Sequence, residues 1–247
     1  MYQSTTLPKH CDVCSVRNRS ICGALSRDEI EAMNRIAHRR HLKAGAVIIH
    51  EGAQPESFGN VISGVVKLTK TMTDGRQHIV GLLFPSDFMG RAMRAESPYR
   101  AEAATDVELC LFPRTGFEAL MHRHEHLKSR LLAHALDELD ACHEWTLLLG
   151  RKNASERVAS FLLMMARRLR EYGCEADIST DGAAFVLPLG RADIADFLGL
   201  TTESVSRQMT KLKRDGVIRL HGNRDIEVPS MDRLLGIADL APCHSLD

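Results

Sequence analysis

The sequence runs to 247 residues, room for one or two domains at about 150 residues each. With 44% hydrophobic and 26% charged residues it has the balance of a chain that buries a sizeable core rather than the composition of a disordered one. Lys+Arg and Asp+Glu both total 32, so no overall field draws the chain to nucleic acid or membrane, and a charged partner must be met by a local patch. No apolar run approaches the roughly 18 residues of a bilayer span, and Met1–His10 carries polar residues and Pro8 where a signal peptide would be apolar. A cytoplasmic location with no membrane partner is expected. In a reducing compartment, seven cysteines point to metal ligation or redox sensing rather than structural disulfides.

Residues 1–26 form a short cysteine-dense segment, with Cys11, Cys14 and Cys22 spaced C-x2-C-x7-C. Ser26 reads as the N-cap of a helix from Arg27 to about Arg40, with Ile30, Met33, Ile36 and Ala37 on one face. Glycines at 45, 52, 59, 64, 75, 81 and 90 then punctuate β-rich runs, of which Ala46–His50, Asn60–Lys70, His78–Phe84 and Val107–Phe112 are the clearest. Asp74-Gly75 is a hairpin-turn signal. Residues 27–115 thus predict a small β-barrel or jelly roll.

From near Thr115 the pattern turns helical. Leu132, Leu136, Leu139, His143, Thr146 and Leu149 recur at steps of 4, 3, 4, 3 and 3, close to a coiled-coil seam. Residues 116–152 read as one long helix; its stretch Gly116–Gly150 would span roughly 50 Å, more than a small domain covers, so its seam is expected to join two copies in a homodimer. A core-facing helix on its own barrel shows a similar stripe and is the alternative. A helix over Ser155–Tyr172, a loop around Gly173–Gly182 and a compact region complete a C-terminal domain of residues 153–247. The fold class is α+β.

Pro188–Gly216 carries the strongest local pattern. A helix over Arg191–Leu198 places Ala195 where a second helix must approach; Gly199 takes the positive φ of a tight turn, and Val205 fills the space between the helices. The second helix, Thr202–Arg214, capped by Thr201 or Thr202, leaves Thr202, Glu203, Ser206, Arg207 and Thr210 facing out. Arg can bridge guanine O6 and N7, Glu can accept from cytosine N4, and Ser serves several partners. Val217–Leu220, a His221-Gly222-Asn223 turn and Ile226–Val228 read as a two-stranded wing. Between Thr201 and Arg224, six cations (Arg207, Lys211, Lys213, Arg214, Arg219, Arg224) face only Glu203 and Asp215, a net +4 suited to phosphates of double-stranded DNA. A helical hairpin with a solvated charged face is the bland alternative.

Three local thiols suit zinc or an iron–sulfur cluster and leave one position for a distant fourth ligand. Cys110, on the last strand before the long helix, is the natural candidate; Cys142 and Cys174 compete on composition, and Cys243 carries no spacing signal. His122, His124 and His126 alternate, so at most His122 and His126 could share a helix face, and a solvated face is the simpler reading. No phosphate-loop, dinucleotide, zinc-hydrolase or serine-hydrolase signature occurs, and no acid/base pair supports a metal-dependent enzyme with a DNA-binding tail. The chain is not expected to be an enzyme.

This order of β region, long helix and winged helix-turn-helix resembles the family of the cyclic-AMP receptor protein and the fumarate-and-nitrate-reduction regulator, the CRP/FNR family. Glu108-Leu109-Cys110-Leu111-Phe112-Pro113, the reading-helix run Glu203-Ser204-Val205-Ser206-Arg207 and the stretch Leu147–Arg157 are similar to the FNR branch. The C-x2-C-x7-C gap departs from the C-x2-C-x5-C of its best-known members and is closer to alphaproteobacterial regulators. The resemblance implies a cyclic-nucleotide-binding-like roll, a dimerisation helix and an oxygen-labile [4Fe–4S] cluster on Cys11, Cys14, Cys22 and Cys110. It also implies that Glu203, Ser206 and Arg207 read TTGAT-like half-sites of an inverted repeat under anaerobic conditions. RNA polymerase would be met by the hairpin near Thr73–Gln77 and the loop near Pro85–Asp87. Ser86–Arg91 and Tyr99–Ala101 lack the Gly-Glu and Arg-Ser/Thr pairs that hold cyclic nucleotides, so none is expected. The same fold sensing through zinc, a thiol switch or haem is the alternative.

Overall fold

The computed structural model describes residues 11, 13–92, 94–171 and 182–238; Met1–His10, Cys174, Cys243 and most of the expected 173–182 loop lie outside the described residues. The chain divides into two compact units, Met1–Ala141 and Cys142–Asp247.

In the first unit, Ser26 and Glu29 cap each other, the Ser26 N–H donating to Glu29 Oε2 at 2.7 Å, and start helix α1 (Arg27–Ile36). The helix stops short of the expected Arg40. His38–Leu42 is instead a strand, β1, paired antiparallel with β8 (Val107–Pro113) from His38↔Leu111 to Leu42↔Val107. Its exposed His-Arg-Arg-His sequence has no apolar alternation, and only the tertiary ladder makes it a strand.

The roll continues with β2 (Val47–Ile49), β3 (Ser57–Ser63), β4 (Val66–Thr71), β5 (Gln77–Leu83), β6 (Phe88–Met89) and β7 (Arg100–Ala103). The expected Asn60–Lys70 run is two strands, β3 and β4, while β6 and β7 are too short or too polar to be read from sequence. One sheet has the order β1-β8-β3-β6 and the other β2-β7-β4-β5. Gly75 takes a φ of +86° in the β4–β5 hairpin, as Asp74-Gly75 foretold. Alternation divides the buried side chains. Val61, Val107, Leu109 and Leu111 fill the roll between the sheets, whereas Phe58, Cys110 and Phe112 face out onto a second cluster with Ile30, Met33 and Phe117.

The single long helix is corrected to two. Helix α2 (Arg114–Arg123) ends at His124, whose backbone is extended, and α3 runs from Glu125 to Arg151. His124 Nδ1 lies 3.3 Å from Glu29 Oε1, which pins the break to α1. The 27 residues of α3 span about 40 Å. His122 and His126 therefore fall on different helices, not on one shared face.

In the second unit Asn153 caps α4 (Ala154–Glu171), its Oδ1 accepting from the N–H of Ser155 at 2.9 Å and of Glu156 at 3.2 Å. Helices α5 (Arg191–Leu198) and α6 (Thr202–Arg214) have the boundaries read from sequence, with Thr201 as cap and Gly199 at φ +61°. Ala195 and Val205 are buried between them. The wing gains a strand: β9 (Ala183–Val186) joins β10 (Arg219–His221) and β11 (Asp225–Val228) in the order β10-β11-β9. Helix α7 (Met231–Ala238) packs on α4. Among the described residues no helix is long and apolar enough to cross a membrane.

Candidate functional site

Cys11, Cys14 and Cys22 lie on a loop held by its own backbone. The N–H of Cys14 donates to the Cys11 carbonyl (3.5 Å), that of Arg17 to the Cys14 carbonyl (3.3 Å) and that of Ser20 to the Val16 carbonyl (3.0 Å). Ser20 Oγ accepts from the Cys22 N–H at 3.3 Å and opens a 3₁₀ turn over Ile21–Ala24. The segment is too short for its own core and borrows one: Ile21 and Leu25 pack with Ile30, Met33, Phe58 and Phe117 on the outside of the roll. At about 1.5–3 kcal/mol per buried apolar side chain, that contact helps to seat the loop.

Cys110 reaches the same place from β8, on the outward face that alternation assigns it. One cavity of about 200 Å³ is lined by Cys11, Cys14, Cys22 and Cys110, with Asn34, Arg39 and Asn60 beside them. Cys142, the competing candidate on α3, is exposed and does not line it.

Cys11 Sγ donates to Asn34 Oδ1 at 3.5 Å, and Asn60 Nδ2 donates to Cys22 Sγ at 3.7 Å. Burial pushes the Cys22 thiol up to about 11; Ser20 and Asn60 oppose this through hydrogen bonds, and the sulfurs of Cys11 and Cys14 add to it. Cys110 is pushed up to about 12, chiefly by burial and then by the other three thiols, against the pull of Arg39. Buried neutral thiols are poor nucleophiles, and they ionise when cations sit among them. Among the described residues no three His, Cys, Asp or Glu side chains close tightly enough to grip a single ion. Four thiols around one space fit an iron–sulfur cluster, which asks for one sulfur per iron.

On α6, Val205, Met209 and Leu212 are buried, while Thr202, Glu203, Ser206, Arg207, Thr210, Lys211 and Lys213 are all exposed. This is the split between packing and reading faces that the sequence implies. Thr210 Oγ1 donates back to the Ser206 carbonyl at 2.9 Å. Two of the expected phosphate-binding cations are engaged: Arg219 lies 2.5 Å from Glu227 and Arg214 3.3 Å from Asp215. Such exposed pairs are weak and open readily to a phosphate.

Along α3, Leu132, Leu136, Leu139 and Leu147 are exposed to 62%, 53%, 49% and 62%, with His143 and Thr146 also exposed. Leu149, counted in the seam, is half-buried, and Leu147 was not counted. At the other surfaces named above, the 73–77 hairpin is exposed, but Pro85 and Ser86 are buried and that loop offers little beyond Asp87.

Sequence reasoning missed Asn60 and Arg157. Asn60 stood out only as a lone amide in an apolar strand. Arg157 carried no signal of its role: its guanidinium donates to the carbonyls of Lys152 (2.9 Å), Leu149 (2.7 Å) and Leu198 (3.0 Å).

A β-roll, a long helix with an apolar stripe and a winged helix with an exposed polar reading face together define a DNA-binding transcription regulator, not an enzyme. Residues 39–124 match the model of a cyclic nucleotide-binding domain and residues 156–237 that of a Crp-like helix-turn-helix domain. The chain is 47% identical over 230 residues to a "probable transcriptional activator" of Rhizobium leguminosarum bv. viciae, spanning 93% of each chain. It is 43% identical over 235 residues to the transcriptional activator protein FnrL of Cereibacter sphaeroides, spanning 95% of this chain and 94% of that one. The solved structure of FixK2 from Bradyrhizobium japonicum superposes with a TM-score of 0.73 at 32% identity, over 84% of this chain and 99% of that one. The chain belongs to the CRP/FNR family, on its FNR branch.

Proposed function

We propose that this chain is an oxygen-responsive transcription regulator in which Cys11, Cys14, Cys22 and Cys110 hold a [4Fe–4S] cluster. The observation that carries the reading is the shared cavity of about 200 Å³, which unites three sulfurs of a surface loop with one from a strand far along the chain. Four cysteines lining one cavity supply one sulfur for each iron of a cluster, and the burial that pushes the Cys22 and Cys110 thiols up speaks against a thiol switch.

When bound, the cluster supplies reactivity toward O₂. The chain's own residues carry the consequence. Ligation ties the Cys11–Cys22 loop to Cys110 on β8, and β8 leads through α2 into α3. Two copies pair along Leu132, Leu136, Leu139, His143, Thr146 and Leu147, with Leu149 at the edge. Asp137, Glu138, Asp140 and Glu144 on the same stretch repel across a two-fold axis and keep pairing weak. A packing change of a few kcal/mol then shifts the dimer population. Paired copies set two α6 helices about 34 Å apart, one turn of DNA, matching an inverted repeat of TTGAT-like half-sites. Glu203, Ser206 and Arg207 meet base edges, while Thr202, Thr210, Lys211 and Lys213 meet the backbone.

The activator names of the relatives support activation, with the exposed 73–77 hairpin as the surface offered to RNA polymerase. Cyclic nucleotide has no place in this reading. Ser86–Arg91 and Tyr99–Ala101 lack the Gly-Glu and Arg-Ser/Thr pairs that would hold its phosphate and ribose. The test is dimerisation and operator binding measured anaerobically and again after air exposure. Both are expected to fall in air, and unchanged values would reject the coupling.

A further inference from the structure

We propose that Asn60 is a positioning residue for the cluster, donating through its side-chain amide to the Cys22 sulfur and thereby slowing loss of the cluster in air. The inference rests on the four-cysteine reading above and goes beyond it by naming a residue that ligates nothing.

Asn60 sits in the middle of β3, where Phe58, Asn60 and Ile62 share the outward face and Val61 faces the roll interior. In register it is opposite Cys110 on one side and Phe88 on the other. Residues so paired have Cβ atoms on the order of 5 Å apart, so the amide stands beside the Cys110 side chain. Its Nδ2 also reaches Cys22 Sγ at 3.7 Å. One side chain thus adjoins both the loop ligand and the strand ligand.

Its cost to the fold is plain. Asn60 is 2% exposed, lines the cavity, and its Oδ1 has no hydrogen-bond partner. A buried amide with one orphaned atom destabilises a strand that an aliphatic residue would serve better. Sequences depart from good packing in this way mainly where function requires it. The donor strengthens once its acceptor is an ionised sulfur, and hydrogen bonds to ligand sulfurs set both the potential and the persistence of a cluster.

The experiment compares wild type with Asn60→Asp and Asn60→Leu, near-isosteric replacements that remove the N–H, all purified anaerobically. Iron and acid-labile sulfide per chain, the midpoint potential and the decay of visible absorbance in air are read. Folded variants are expected to lose absorbance roughly three- to tenfold faster and to show a lower potential, because the donor that favours the more negatively charged reduced form is gone. A folded variant that takes up no iron supports the proposal equally. Should the leucine variant not fold, the aspartate variant, closest in shape, carries the test. Iron-loaded variants that match wild type in decay and potential overturn the role of Asn60 alone. Iron-free wild type overturns the cluster reading and this inference with it.

Discussion

The backbone N–H of Phe88 donates to Nε2 of His134 over 3.1 Å, tying β6 to the helix that carries the exposed leucine stripe. Phe88 is paired with Asn60, and Asn60 with Cys110, so one row of the sheet runs from the thiol cavity to α3. Replacing His134 by Ala leaves a buried N–H without its acceptor. A loss of roughly 1–3 kcal/mol of stability is expected in denaturant titration. Iron loading should persist while anaerobic pairing weakens in sedimentation; equal pairing would show that this contact is not part of the link.

Gly23 follows Cys22 directly, and a Cβ there would stand 2.3 Å from the Asn18 carbonyl oxygen. Backbone cannot yield as a flexible side chain can, so Gly23→Ala must shift the loop that places Cys22. Iron content is expected to fall while the circular dichroism of the protein stays that of wild type. Full loading would mean that the loop tolerates the displacement.

These two sites also show what was legible in the sequence and what was not. The helix-turn-helix was readable because its rules are local: a cap at Thr201 or Thr202, which the structure resolves to Thr201, a left-handed Gly199, and Val205 at a fixed offset. The strand β1 was not, because His38–His41 is polar throughout and becomes a strand only by pairing with β8. The break at His124 escaped because it depends on Glu29, nearly a hundred residues earlier. Of the thiols, spacing singled out three; its place on the last strand before the long helix made Cys110 the natural fourth, but composition alone left Cys142 and Cys174 competing. What separates them is facing: Cys110 alternates outward beside the loop, and Cys142 is exposed on a helix.

Glu29 gives a pH dependence with a definite sign. Burial alone would raise its pKa, but the hydrogen bonds from Ser26 and the nearby His124 and His126 outweigh this and hold it below the usual carboxylate value. A depressed carboxylate stabilises the fold above its unfolded pKa of about 4.3, and that stability disappears as pH falls through the folded value. Glu29→Gln is therefore expected to cost about 1–2 kcal/mol at pH 7, with the difference from wild type shrinking as pH falls through the depressed folded value. A difference that persists in acid would assign the effect to packing instead.

Arg157 joins the end of α3 to the end of α5 through three carbonyls, a fork that lysine cannot reproduce. Arg157→Ala and Arg157→Lys are both expected to destabilise the protein, the former by about 1.5–3 kcal/mol. DNA affinity should fall by the same factor on operator and random sequence, since the guanidinium is engaged by three backbone carbonyls. Arg207→Ala should behave oppositely, losing roughly 1–3 kcal/mol on operator DNA and little elsewhere. An equal loss on both DNAs would place Arg207 on a phosphate.

The most direct measurement is iron and acid-labile sulfide in protein purified under strict exclusion of oxygen, for wild type and for Cys110→Ser. About four irons and four sulfides per wild-type chain are expected, with visible absorbance that air abolishes, and far less in the variant. A colourless, iron-free wild type, or a Cys110→Ser protein that loads as fully, would contradict the account.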